Sequence, residues 1–312
     1  MMKKALVLGA SGAIGRAITF ELANRGVAVT AFARHRDKLE RLFKDHPQIA
    51  VHSGDVFSKD ELVLAASGND VIFHAINLPY PEWGEKQPIL LANILEAARI
   101  QQAKLAMVDN IYAYAKSERV PVPETYAKQP PTKKGTIRLE LENMAKQSEV
   151  PVLIAHFPDF YGPGVESSVL NYTFQSIVRN KGAMFVGNQK IHREFIYTPD
   201  GAKAIVNLAM QEAAYGQNWN IPGAGTITGR EIIQIAKAYT GYSKKVRTVT
   251  KPMIRMLGLF DSMMREYVEM FYLNEIPLIL SGDKYEKHIG PVPRTSYREG
   301  VEQTLSFMQR AQ

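Results

Sequence analysis

Short apolar segments alternate with stretches of helical periodicity through the first half of the chain, and this alternation constrains the fold most. The segments are KALVLG, VAVTAFA, IAVHSG, DVIFHAI, KLAMVDN and VPVLIAHF, and residues 14–25 and 87–101 between them show helical spacing of apolar residues. Strands that are apolar on both faces are typical of a parallel sheet covered by helices on both sides. Because βαβ crossovers are right-handed, the pattern predicts an α/β fold with a doubly wound parallel sheet, the Rossmann fold.

The pattern changes after about residue 160, where a Gly/Pro loop is followed by shorter strands and helices. We predict a dinucleotide-binding core at residues 1–160, to which residues 195–221 contribute. Residues 161–194 and 222–312 are then a smaller α+β substrate-binding region. Residues 251–273 are rich in methionine and aromatic residues at helical spacing, which fits packing as core or lid and, less commonly, a membrane surface.

The amino-acid composition limits which binding partners and which cellular compartment can be expected for this protein. The 312 residues include no cysteine, so disulfides and thiolate metal sites are excluded, and a reducing compartment is compatible. The net charge of +7 suits an anionic ligand, but the cations are scattered rather than collected in a nucleic-acid-binding tail. We therefore expect a small-molecule substrate, an anionic one included, no metal, no nucleic acid and no membrane partner. The expected protein is a cytoplasmic monomer or homodimer.

The segment LVLGASGAIGRA places Gly9, Gly12 and Gly15 between the first strand and the first helix. In this context the glycines permit a tight turn, close approach of backbone to a pyrophosphate and close helix packing. The next strand ends at Arg34, where an acid would otherwise bind the ribose 2′-hydroxyl of NAD. An arginine there suits a 2′-phosphate, so we predict NADP as the cofactor, with NAD as the alternative.

Taken together, the order of motifs resembles the extended short-chain dehydrogenase/reductase superfamily, the NAD-dependent epimerases and dehydratases. GASGAIG, GDV, FHAIN, PDFYGPG, REFIYTPDGAKAI and WNIPG follow the family's order and spacing. The resemblance implies hydride chemistry on a nicotinamide. The predicted cofactor-binding residues are Gly9, Ser11, Gly12, Ala13, Ile14, Gly15, Arg34, Asp55, Val56, Ala75, Ile76, Phe157 and Asp159.

The catalytic positions depart from the family pattern, in which a Ser or Thr polarises the substrate and a Tyr-x-x-x-Lys pair transfers the proton. If Tyr114 matches the family's Tyr in VYG, Asn110 stands at the serine, Lys134 at the tyrosine and Arg138 at the lysine. Asn110 can polarise a carbonyl, Arg138 can hold ribose hydroxyls, and Lys134 can act as a general acid or bind an anionic substrate. Tyr112 and Tyr114 are reserve phenols.

A second interpretation makes the same residues structural, with Arg138 paired to Glu142 and Lys134 a solvated cation. Against it, Lys133 and Lys134 begin a helix, where acids are preferred, and local rule violations often mark functional sites. The first functional hypothesis is an NADP(H)-binding oxidoreductase or epimerase/dehydratase-like enzyme, acting on a small carbonyl or sugar-like substrate. The alternative is an inactive NADP(H)-binding regulator or redox sensor.

Overall fold

The computed structural model describes residues 2–117 and 121–310. In these two ranges the strands are β1 (Lys4–Leu8), β2 (Ala28–Ala33), β3 (Ile49–Ser53), β4 (Val71–His74), β5 (Lys104–Asn110), β6 (Val152–Phe157), β7 (Asp159–Tyr161), β8 (Met184–Val186), β9 (His192–Tyr197), β10 (Asn218–Asn220), β11 (Thr226–Thr228) and β12 (Arg247–Val249).

The helices alternate with the strands in the first half and dominate the C-terminal part. They are α1 (Ala13–Asn24), α2 (Arg36–Phe43), α3 (Lys59–Ala66), α4 (Trp83–Gln101), α5 (Lys133–Gln147), α6 (Val169–Val178), α7 (Thr198–Ala209), α8 (Gly229–Thr240), α9 (Lys251–Leu257), α10 (Ser262–Met270), α11 (Asp283–His288) and α12 (Tyr297–Arg310).

A seven-stranded sheet has the order β10-β6-β5-β4-β1-β2-β3, and all its neighbouring strands run parallel. The central strands are buried on both faces because apolar residues fill consecutive positions, as in β6, where every residue is buried, whereas the edge strand β3 is only partly buried. One face packs against α1 and α7, and the other against α3, α4 and α5. The doubly wound α/β fold predicted from the sequence is confirmed.

The order of strands reverses beside β1, where the crossovers go to β2 on one side and β4 on the other. In open α/β sheets such a switch point leaves a crevice at the carboxyl ends of the strands, where ligands bind. The β1–α1, β4–α4 and β5–α5 connections all lie at this edge. The fold therefore brings the predicted site residues to one edge of the sheet.

Two smaller sheets lie outside the main sheet, one ordered β11-β9-β7 and one pairing β12 with β8. Helices α6, α8 and α12 enclose a separate apolar core with them. Local sequence sets both ends of α8: Thr228 forms a capping box with Glu231, and Gly241 ends the helix in the left-handed conformation.

The stretch at residues 251–273 is not one continuous helix. It forms α9 and α10, which are separated by a turn at residues 258–261 and followed by a 3-10 turn, Phe271–Asn274. Gly258 allows the close approach at that turn, since a Cβ there would lie 2.9 Å from the Cα of Arg265. In the described part of the chain, no helix is both long and apolar enough to cross a membrane.

Candidate active site

The glycine loop after β1 has the geometry of a phosphate-binding turn. Gly9 has a φ of +83°, and a Cβ on Gly15 would lie 2.2 Å from the carbonyl oxygen of Gly9. Neither position accepts a side chain, because the first needs left-handed backbone and the second would overlap backbone atoms. The two glycines let α1 start directly against the end of β1.

The N-terminus of α1 is open to an anion. Gly12 is the capping residue, no side chain caps the helix, and its first turn contains no acidic residue. The first N–H groups of a helix lack partners within the helix and carry partial positive charge. Ser11, Ala13 and Ile14 lie beside these groups and are only partly buried, so backbone donors here fit a pyrophosphate.

Arg34 follows β2 and is exposed, with no ion pair to any residue in the described ranges. The neighbouring Arg36 is instead held by Glu40, 2.7 Å from its Nε. Asp55 is exposed after β3, and its Oδ1 accepts a hydrogen bond from Phe57, while Val56 is buried beneath. This arrangement leaves the Arg34 guanidinium and one Asp55 oxygen available to a nucleotide.

Of the predicted cofactor-binding residues in the loops after β4 and β6, some lie beside the glycine loop and others do not. A Cβ added to Gly9 would lie 2.9 Å from the carbonyl oxygen of Ala75, so Ala75 and Ile76 border the glycine loop. Asp159 accepts a hydrogen bond from Arg193 at 2.8 Å, so its carboxylate is already paired. Phe157 is buried in the core between the sheet and α7, and its side chain is unavailable to a cofactor.

Asn110 ends β5 and organises the turn that follows it. Its Oδ1 accepts a hydrogen bond from the N–H of Tyr112 at 3.0 Å, while its Nδ2 donates to no residue that the structure describes. The Tyr112 hydroxyl lies 2.8 Å from the Tyr80 hydroxyl. The pKa of the Tyr112 phenol is raised well above its usual value, mainly because the phenol is buried and to a smaller extent because Tyr80 is close. An amide donor and a neutral phenol therefore stand together after β5.

Lys134 lies in the first turn of α5 but is only 1% exposed. Its ammonium is paired with Glu266, and Glu269 lies 3.3 Å away, both from α10. Glu269 also accepts hydrogen bonds from the N–H groups of Lys133 and Lys134, at 2.9 and 3.1 Å. The carboxylates thus supply the negative charge that the first turn of α5 lacks. The solvated-cation interpretation of Lys134 is wrong.

Helix α10 covers the ammonium of Lys134, and we call α9, the turn at residues 258–261 and α10 the lid. The lid packs on the 3-10 turn at Tyr80–Glu82 and has its own apolar cluster with Ile254 and Phe271. On the side away from the lid, Gly135 lets α5 pack directly against the turn after β5, since a Cβ there would lie 2.4 Å from the carbonyl oxygen of Tyr112. Lys134 is thereby enclosed between the end of β5 and the lid.

The sequence of residues 5–222 matches the model of the NAD dependent epimerase/dehydratase family. The chain belongs to this family.

Solved structures with a similar fold include two epimerases. A UDP-glucose 4-epimerase of Thermotoga maritima has a TM-score of 0.79 at 19% identity, covering 99% of both chains. A UDP-glucuronic acid 4-epimerase of Bacillus cereus, in complex with UDP-glucuronic acid and NAD, has a TM-score of 0.80 at 18% identity, covering 99% of this chain and 100% of that chain. These similarities establish the fold.

A curated relative is a 2-alkyl-3-oxoalkanoate reductase of Shewanella oneidensis, 31% identical over 117 residues. The match covers 37% of this chain and 29% of the relative, so the chain spans under a third of that protein's length.

In this epimerase/dehydratase family member, Arg138 stands where the resemblance puts a lysine, and it is buried. Its guanidinium carbon lies 4.4 Å from the ring centre of Trp83, and its Nε lies 3.5 Å from Asp109. The predicted pairing with Glu142 is wrong, because Glu142 bonds Lys128, Lys146 and Asn218 instead. The terminal nitrogens of Arg138 donate no hydrogen bond to a described residue, which leaves them free for ribose hydroxyls.

The reserve phenol Tyr114 is unsuited to proton transfer. Its hydroxyl donates to Asn220 at 2.7 Å, and its ring packs with Ile111, Val122 and Leu278 in a separate apolar cluster. His74, at the end of β4, is also inert, because burial and then the charge of Arg138 lower its pKa to about 3. Tyr112 is therefore the better placed of the two reserve phenols.

Sequence reasoning did not identify four groups of the site: Tyr80, Trp83, Glu266 and Glu269. One signal was available, since Glu266 and Glu269 put two acids on one face of a helix otherwise rich in methionine and aromatic residues. Such acids need a partner when that face is covered. The partner, Lys134, lies 132 and 135 residues away along the chain.

Proposed function

We propose that this chain is an NADP(H)-dependent reductase of small carbonyl compounds that carry a carboxylate. The observation that carries the proposal is the pairing of buried Lys134 with the carboxylates of Glu266 and Glu269. One ammonium and two backbone N–H groups converge there on carboxylate oxygens. When the lid moves away, the same donors are available to a carboxylate of a substrate.

The name of the curated relative, 2-alkyl-3-oxoalkanoate reductase, describes a substrate of this chemical kind, a carboxylate with a ketone nearby. The solved epimerases instead act on nucleotide sugars according to their titles, and one of these sugars, UDP-glucuronic acid, also carries a carboxylate. The donors around Lys134 fit the carboxylate of either kind of substrate, and we base the proposal on the oxo acid that the reductase's name describes. Reduction of a ketone that lies close to a carboxylate is therefore our working hypothesis for this chain.

Reduction needs a proton at the oxygen that becomes an alkoxide, and a nicotinamide supplies the hydride when it is bound. We assign the proton to Tyr112, whose raised pKa keeps the phenol neutral at physiological pH. An alkoxide is a stronger base than a phenolate, so the transfer is favourable despite that raised pKa. Asn110 donates a further hydrogen bond to the same oxygen through Nδ2, as oxyanion-stabilising amides do. Arg138 holds ribose hydroxyls.

Arg34 gives the cofactor preference. We expect Arg34→Ala to raise the dissociation constant of NADPH about 10- to 100-fold, because a charge-assisted bond to the 2′-phosphate is lost. Affinity for NADH should stay unchanged. Fluorescence titration of both cofactors measures this, and Arg36→Ala is the matched control because Glu40 already holds Arg36. Tighter binding of NADH than NADPH by the unaltered protein would contradict the preference.

The reaction itself is tested by NADPH oxidation with a short 3-oxo acid, its methyl ester and UDP-glucose. We expect turnover of the acid, and at least about tenfold lower kcat/KM for the ester, which offers the same ketone without the charge. Equal rates for acid and ester would refute carboxylate recognition. Tight NADPH binding with no turnover of any compound would favour the alternative, a cofactor-binding regulator.

A further inference from the structure

The lid exposes an unusual amount of apolar surface at its tip. Phe260 is 90% exposed, Leu259 71% and Met256 61%, and Leu257, Met253 and Met263 are exposed beside them. Single exposed apolar residues are ordinary, but six of them within eleven consecutive residues form a patch. Glu266 and Glu269, the residues of α10 that hold Lys134, are not part of this patch. The patch is therefore distinct from the groups that cover the site.

Two arginines lie beside this apolar tip, and the segment that contains it is basic. Residues 243–265 contain six basic residues and a single acid, Asp261. Arg255 and Arg265 lie beside the tip itself, because both line a hollow of about 320 Å³ with Leu259. With Glu266 and Glu269 of α10 included, residues 243–269 still hold six basic residues against three acids, and Lys134 offsets one of those acids. The surface is thus both apolar and positively charged.

A second copy of this chain is a poor occupant of such a surface. Self-association through the tip would bring the cations of two lids together, and like charges in contact disfavour an interface. A neutral apolar partner offers no negative groups to pair with the arginines of this surface. An anionic bilayer satisfies both features, because aromatic and aliphatic side chains enter the interface while Lys and Arg meet lipid phosphates.

We propose that the lid tip, residues 253–263, docks on an anionic lipid surface. Leu259 and Phe260 enter the acyl boundary, and Arg255 and Arg265 bind headgroup phosphates. The contact is peripheral, since a tip of this size buries a few side chains rather than a membrane-spanning segment. The proposal replaces the sequence prediction of no membrane partner, and it does not depend on the proposed reaction.

The absence of cysteine allows a site-specific test. Leu259→Cys is labelled with a polarity-sensitive fluorophore and mixed with vesicles of phosphatidylcholine, with or without phosphatidylglycerol. We expect a blue shift with the anionic vesicles only. The matched control is Leu64→Cys, which is also about 70% exposed but lies on α3, and it should show no shift. Equal shifts at both positions, or with neutral vesicles, would overturn the proposal.

Vesicle co-sedimentation measures separately how much apolar burial and how much positive charge contribute to binding. Phe260→Ser and Arg255→Glu should each weaken partitioning to anionic vesicles about tenfold or more, because one removes apolar burial and the other a cation. Leu64→Ser should leave it unchanged, and thermal melting checks that every variant folds. If sedimentation equilibrium instead shows a dimer that Phe260→Ser dissociates, with no vesicle binding, the surface is an interface between copies and the proposal fails.

Discussion

Lys134→Ala is expected to lower kcat/KM for the anionic carbonyl substrate about 100- to 1000-fold, with the dissociation constant of NADPH unchanged. The size follows from removing a preorganised charged donor from a buried site. Cofactor affinity is unaffected because Lys134 contacts α10 and the Tyr80 ring rather than the glycine loop. Steady-state kinetics and fluorescence titration measure the two quantities separately.

Two controls separate a role in substrate binding from a role in holding the lid. Lys133→Ala removes an exposed cation from the same turn and should change kcat/KM less than about threefold. Glu266→Gln removes one of the lid's two ion pairs with Lys134 and leaves that of Glu269, so the lid opens more easily and kcat/KM should be retained or rise. If Glu266→Gln loses as much activity as Lys134→Ala, Lys134 acts by holding the lid, and its assignment to the substrate is wrong.

Glu142→Ala is expected to destabilise the protein by about 3 kcal/mol, the largest stability effect we predict. Glu142 is buried and bonds Lys128, Lys146 at 2.8 Å and Asn218 at 2.7 Å. Burial lowers the pKa of Lys128, and Glu142 is the main group that opposes this, with a smaller contribution from Asp109. Without Glu142, Lys128 is left largely buried and loses its directly bonded counter-charge, which is costly. Urea denaturation followed by circular dichroism measures the free energy of unfolding.

The matched control is Lys146→Met, which removes the other lysine that binds the same carboxylate. The Lys146 side chain is 44% exposed, so its ion pair should contribute less than about 1 kcal/mol. A loss as large as that of Glu142→Ala would show that burial of Lys128 is not the cause.

Acid pH gives an independent check of the Glu142 cluster. Burial alone would raise the pKa of Glu142, but the hydrogen bond and charge of His156 and the charge of Lys128 outweigh it, so the pKa is well below its usual range. The contribution to stability is therefore fully present above the unfolded value of about 4.3 and lost as the pH falls below it. The difference between unaltered protein and Glu142→Ala should shrink below about pH 4.

The parallel sheet and the glycine loop were predictable because their signals are local. Apolar runs such as that of β6 identify buried strands, and three glycines between a strand and a helix indicate a backbone anion site. The same holds for α8, whose capping residues Thr228 and Gly241 stand in the sequence at its two ends. In each case the physical cause lies within a few residues of its effect.

The surroundings of Lys134 and Arg138 could not be predicted in the same way. Both residues satisfy their charge through groups on other elements, Glu266 and Glu269 for the lysine and Asp109 with Trp83 for the arginine. Helical spacing suggested a pair with Glu142, but tertiary contacts decided otherwise. The conflict of Lys133 and Lys134 with the helix dipole is resolved by Glu269, a carboxylate from a distant helix.

The ion pairs of the lid make Glu266 and Glu269 tethered competitors of any dissolved anion. Their effective concentration is set by the chain, so under the proposed function a substrate carboxylate must outcompete an intramolecular ligand at Lys134. A lid closed about 99% of the time raises the apparent dissociation constant about 100-fold over the intrinsic one. Substitutions in α10 would therefore tune the substrate concentration at which the protein works, without altering any group that touches the reacting atoms.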